Sequence, residues 1–200
     1  MGLEAVKDKS RLRQEMIVRL AEKYHTTPTF IEARSLEITN ASQWMNQDDV
    51  LDAMRRLIAG TGADLVFLQE IHGRKTPGKR EPGAWPEQPH FEYMADSVWP
   101  HHAYGRNAIY REGDHGNAIL SKFPFAFWEN INIAVFPRSS RSILHGVVEV
   151  PGSDRPLHLL CVHLGLLERE RRGQLRVLSE RMASRIPADE PLILAGDFND

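Results

Sequence analysis

The chain of 200 residues contains one cysteine, Cys161. A single thiol excludes an internal disulfide and a cysteine-built zinc cluster. It lies in the apolar run "PLHLLCVHL", which points to a buried, inert thiol rather than a nucleophile. No apolar run is long enough to span a bilayer, and the charged N-terminus has no apolar signal core, so no transmembrane segment is expected and the expected location is the cytoplasm. An excess of charge is missing too. Lys plus Arg number 25 and Asp plus Glu 27, a net charge of -2. That balance excludes coating nucleic acid through net charge alone, but leaves room for a local basic groove. Internal repeats and low-complexity tracts are absent, and nothing points to an obligate protein partner. What is present is a 42% apolar content, ample for the core of one domain.

Helices and strands alternate along the chain. In residues 7–24, "KDKSRLRQEMIVRLAEKY", Leu12, Met16, Ile17, Leu20 and Ala21 recur at helical spacing until Thr26, Thr27 and Pro28 break the pattern. Residues 1–28 therefore read as a helical extension or a frayed tail outside the core. "QDDVLDAMRRLIAG" predicts a helix with Val50, Leu51, Met54, Leu57 and Ile58 on one face and a stop at Gly60. The continuous run Leu65–Leu68 predicts a strand buried on both sides. Residues 72–90, rich in Gly, Pro and Lys, read as a surface loop, and Trp85, Phe91, Tyr93 and Trp99 as packing aromatics, with stacking on a base or meeting a lipid surface as the alternatives. Strands follow in "GNAILSKFP", "SILHGVVEV" and "PLHLLCVHL". A helix with the stripe Leu175, Leu178, Met182 and Ile186 leads to a last strand, "PLILAGD". Strand, helix and strand between 157 and 197 make a crossover unit, and the whole reads as α/β with helices outside the sheets.

Three apolar strands run into ionisable or coordinating groups: Glu70 after Leu65–Leu68, His163 after Leu159–Val162, and Asp197 after Leu192–Ala195. Asn199 stands beside the third. A carboxylate at the mouth of a core is costly unless paired, hydrogen-bonded or bound to metal, and ligands in α/β sheets bind outside carboxyl strand ends. One such residue marks where a strand surfaces; three mark a site. Oxygen donors without cysteine favour a hard cation such as magnesium.

"ADLVFLQE", "HGNAILSKFP", "LLCVHLG" with the later "RRGQL", and "PLILAGDFND" occur in the order found in the endonuclease/exonuclease/phosphatase superfamily, which the chain resembles from about residue 35 to residue 200. The stretch "WPEQPHFEYMADSVWPHHAYGRNAIYREGDHGNAILSKFP" further resembles a bacterial subgroup often encoded near cardiolipin synthases. The resemblance implies a deoxyribonuclease I-like α/β fold, a two-layered β-sandwich flanked by helices in four α/β/β/α layers, over residues 29–200. It implies Mg2+-dependent hydrolysis of phosphate esters, with Mn2+ as the substitute. The implied substrate is a nucleic acid or a phospholipid head group.

Residue by residue, the resemblance makes Glu70 a metal ligand, His163 a donor to the scissile phosphate, and Asp197 with Asn199 a pair that orients the attacking water. Arg141 matches a phosphate-facing arginine or is a solvated loop cation. Tyr104, Asn107 and Asn117 line the same cleft or serve turn chemistry beside glycine. Asn40, in "SLEITNAS", is the candidate second metal ligand, or a turn or cap residue. The family continues past "GDFND" with further strands and a closing Asp-His pair, so the chain is expected to lack its C-terminal strands, and the mid-chain Asp114-His115 does not take that pair's role. Impaired hydrolysis is the expectation; the alternatives are a catalytically inactive binding module and a non-functional fragment of the same fold.

Overall fold

A computed structural model of the chain describes residues 47–76, 88–111, 113–136 and 139–199. The 1–28 extension, Asn40 and Trp85 lie outside the described residues. The chain divides into two compact units, Met1–Arg55 and Arg56–Asp200, and both sheets among the described residues belong to the second. Helix α1 spans Gln47–Gly60. It ends as a helix followed by glycine should: the amides of Thr61 and Gly62 donate to the carbonyls of Ile58 and Ala59, and Gly62 takes the left-handed conformation at φ 69°.

The rest is a sandwich of two sheets. Strands β1 (Leu65–Lys75), β2 (His101–Ile109) and β3 (Gly113–Ser121) form the first, in the order β1-β3-β2. Strands β4 (Phe125–Asn132), β5 (Ser142–Val148), β6 (Leu157–His163) and β7 (Leu192–Asp197) form the second, in sequence order. Alternation along β5 and β6 decides what each face meets. Leu144, Val148, Leu159 and Cys161 turn inward against Ala103 and Ile119 of the first sheet. Ile143, Leu160 and Val162 turn outward against Leu178 of helix α3 (Glu168–Arg185). Helix α2 (His90–Ala95) covers the far face of the first sheet, with Phe91 stacked on Tyr104 at a centroid distance of 4.4 Å. The layers are therefore α/β/β/α. Phe91 and Trp99 are buried, as packing aromatics should be, and the Trp99 indole donates to the Ala63 carbonyl at 3.0 Å.

The sheets are antiparallel except for β6 and β7, the strands of the expected crossover unit, because the other connections are too short for a crossover. Three expectations need correction. β1 is an edge strand among the described residues, so Leu65–Leu68 are half-buried rather than enclosed. It also does not stop at Glu70. Its pairing with β3 is interrupted between Leu68 and Ile71 and resumes at Ile71 opposite Gly116 and His72 opposite His115, so the expected loop begins as strand. The expected α3 stripe holds in part: Leu178 is buried with Met182 and Ile186 packed against the same cluster, but Leu175 is exposed, and the other buried positions of the helix are Glu170 and Gln174.

Candidate active site

The parallel register of β6 and β7 sets His163 directly beside Asp197. The strands approach closely there because residue 196 is glycine: a Cβ on Gly196 would stand 1.9 Å from the Val162 carbonyl oxygen, and its φ is 147°. The amide of Leu164 donates to the Asp197 carbonyl at 2.8 Å. The Asp197 side chain then lies 3.7 Å from His163, Oδ2 to Nε2.

The first sheet supplies the other carboxylate. Across the seam, the Gln69 amide donates to Cys161 Sγ at 3.3 Å, and that thiol faces the Leu68 carbonyl at 3.6 Å. These contacts hold the interrupted stretch of β1 over β6. Glu70 sits at the interruption with φ 54°, a conformation uncommon outside glycine that costs about 1–3 kcal/mol and tends to mark functional sites. Its Oε1 is 3.9 Å from His163 Nδ1. His163 thus stands between two exposed carboxylates, each near enough for Coulombic coupling and too far for a hydrogen bond. Burial, and then the Arg141 guanidinium, hold its imidazole below the ordinary value against the upward pull of Glu70 and Asp197.

Asn199 and Arg141 meet on one backbone atom. Asn199, also left-handed at φ 51°, donates its amide N–H to Asp197 Oδ1 at 2.9 Å and its side-chain Nδ2 to the Leu164 carbonyl at 2.7 Å. Arg141 Nε donates to the same carbonyl at 3.1 Å. Glu70, His163, Asp197, Asn199 and Arg141, from both sheets, are therefore brought together. A cavity of about 780 Å³ opens beside them, with Glu70, Arg141, His72, His115 and Glu170 among its lining residues. A second hollow of about 610 Å³, at the C-terminal end of α3, contains none of the candidates.

Three expected cleft residues are placed otherwise. Tyr104 faces away from the sandwich interior, where its hydroxyl donates to Asp114 Oδ1 at 2.6 Å; burial pushes its pKa up. Asn117 is fully buried and donates to the carbonyls of Ser142 and Cys161 at 3.1 and 3.3 Å, tying β3 to β5 and β6. Asn107 accepts the Ser142 hydroxyl across the same seam. Both asparagines thus hold the residue next to Arg141 instead of lining the cavity.

Sequence reasoning missed two features. His115 lines the cavity with its pKa lowered chiefly by burial, and the alternation of β3 that turns it there was legible. Glu170 and Gln174 form a buried network in which Gln174 accepts the Gly165 amide at 2.8 Å and donates to Glu170 Oε1 at 3.1 Å, while Ser139 donates to Glu170 as well. It anchors the loops on either side of Arg141. Cys161 is buried as expected, and burial raises its thiol to about 11.

No group of three His, Cys, Asp or Glu side chains among the described residues is arranged to hold a metal unaided. A magnesium-type ion does not require one, since it keeps several waters and takes one or two carboxylates plus substrate phosphate. The exposed carboxylate of Glu70 suits that demand.

The chain is similar to known proteins in sequence and in fold. The chain is 39% identical over 155 residues to the Escherichia coli (strain K12) "Uncharacterized protein YbhP", an alignment covering 78% of this chain and 61% of that protein. It therefore spans less than two thirds of the curated relatives it matches. Its fold is similar to that of D. rerio TDP2 complexed with single strand DNA product, with a TM-score of 0.56 and 23% identity over 80% of this chain and 58% of that one. It is similar also to sphingomyelinase C from Streptomyces griseocarneus, with a TM-score of 0.53 and 23% identity over 80% and 60%. The sequence profile of the Endonuclease/Exonuclease/phosphatase family matches residues 44–200. With that match over most of its length, the chain belongs to the endonuclease/exonuclease/phosphatase family.

Proposed function

We propose that the cluster around His163 hydrolyses a phosphate ester, as a phosphodiesterase or nuclease, with the help of a divalent cation, Mg2+ or Mn2+. The observation that carries this reading is the placement of one buried imidazole between two carboxylates of opposite sheets, 3.9 and 3.7 Å away, with an arginine close enough to shift it. Neighbouring folds support phosphoester chemistry without selecting a substrate: one neighbour is named for a single-strand DNA product and another for sphingomyelin.

Each residue has a task. Asp197 Oδ1 is taken by the Asn199 amide, which fixes the carboxylate and leaves Oδ2 to orient a water and receive its proton. His163, kept neutral by burial and by Arg141, carries one N–H to donate to a non-bridging oxygen as charge grows there. Arg141 balances the phosphate anion from a backbone-anchored position. Glu70 would hold the cation, which when bound neutralises charge on the phosphate and leaving oxygens. The water oxygen bonds to phosphorus, one P–O ester bond breaks, and the leaving alkoxide gains the proton that the water loses.

The test is turnover of bis-p-nitrophenyl phosphate with Mg2+ and with EDTA. Hydrolysis that needs the cation and drops at least ~100-fold in both Glu70→Gln and His163→Asn supports the proposal. Hydrolysis that survives both substitutions overturns it. Among the described residues no helix is long and apolar enough to cross a membrane.

A further inference from the structure

The wall of the cavity beside Glu70 and Arg141 is divided by polarity. Its polar lining includes Glu70, Glu170, His115 and Arg141. Its rim carries Ile109, Tyr110, Leu166 and Leu167, which are 69%, 49%, 73% and 64% exposed. Single exposed apolar side chains are ordinary, but a contiguous set around a polar pocket marks a place where something apolar binds. The four residues come from two separate segments, the end of β2 and the turn between β6 and α3, and both segments are held in place. The Tyr110 ring stacks on His115 at a centroid distance of 5.0 Å and its hydroxyl shares a hydrogen bond with His115 Nε2 at 2.6 Å. Arg171 Nη1 donates to the Leu166 carbonyl at 2.6 Å. The side chains thus project from anchored backbone.

We infer that the substrate of this site is a phospholipid presented at a membrane surface, its phosphodiester meeting Arg141 and His163 while the apolar rim enters the interfacial layer. This rests on the hydrolase reading above. A polynucleotide fits the wall less well. Nucleic-acid clefts track the backbone with several Lys and Arg and stack bases on free aromatic faces. Here Arg141 is the one Lys or Arg among the described lining residues, Tyr110 has a ring face taken by His115, and aliphatic Ile109, Leu166 and Leu167 offer no stacking plane. An anionic phosphate with hydrocarbon close beside it complements the Arg141 guanidinium and the aliphatic side chains of the same wall.

The test is flotation of the full chain with phosphatidylglycerol/phosphatidylethanolamine vesicles, which needs no catalysis, run alongside bis-p-nitrophenyl phosphate turnover. The wild type should float with the vesicles even in high salt. Ile109→Asp with Leu166→Asp should reduce flotation at least ~10-fold, as expected when apolar side chains leave the interface. Trp128→Asp, on exposed β4, should float like the wild type. Failure of the wild type to float, equal loss in Trp128→Asp, or single-stranded oligonucleotide binding that the rim variant abolishes would each overturn the lipid assignment. Turnover without flotation removes the lipid and leaves the hydrolase; flotation without turnover does the reverse.

Discussion

Strand β6 carries a histidine on each of its faces, and the two are treated in opposite ways. His158 looks outward, where its Nδ1 shares a hydrogen bond with His145 Nε2 at 2.9 Å and its Nε2 meets Glu190 Oε2 at 2.5 Å. His145 continues the chain toward Glu129 at 3.8 Å, and Arg181 holds that carboxylate at 2.7 Å. His163 looks toward the seam between the sheets, where both carboxylates stop short of hydrogen-bond distance. Ring nitrogens bonded to their neighbours serve the fold. Ring nitrogens coupled through space but not bonded keep their donor and acceptor for a reactant.

The sharpest way to break this contrast is at His163. His163→Asn should lower kcat/KM on a phosphodiester by ~10²–10⁴-fold while the melting temperature stays close to wild type. A large stability loss with little kinetic effect would make the two histidines equivalent. Gly196→Ala is next: the added Cβ meets the Val162 carbonyl and should cost about 3 kcal/mol or more, measured by urea unfolding, with the activity lost alongside. His158→Ala should behave as the mirror of His163→Asn. It orphans His145 and Glu190 and should cost about 1–3 kcal/mol in unfolding, with the kcat of the folded fraction kept.

The smallest effect concerns His90, stacked on His72 and pushed down to about 4 by burial and then by His72. Because its folded value lies below the unfolded 6.5, the unfolded chain takes up the proton first, and stability falls as pH drops from 6.5 toward 4. His90→Leu should flatten the slope of melting temperature against pH in that window.

The crossover unit was legible because two apolar runs bracket one long helix, and His163 and Asp197 were legible because each interrupts such a run. The convergence of Glu70 with His163 was expected from the three strand ends, but the means of it was not legible, since it depends on an interruption in β1 and on sulfur contacts to a strand far along the chain. Asn117 misled for a related reason. A glycine-flanked asparagine reads as a turn or a ligand, and only the stacking of the two sheets shows that its amide spans them. Glu170 and Gln174 were hidden because a pattern search for apolar stripes passes over buried polar residues whose partners lie in distant loops.

Cys161 carries a practical consequence. Its sulfur lies in the seam one residue pair away from both His163 and Glu70, and it is the chain's sole thiol. A thiol-reactive dye can reach it only when the sandwich parts, so the labelling rate is a clock for that opening. Any motion that starts the clock also separates the acid on one sheet from the imidazole on the other, and the dye would therefore count the moments at which the protein is unable to work.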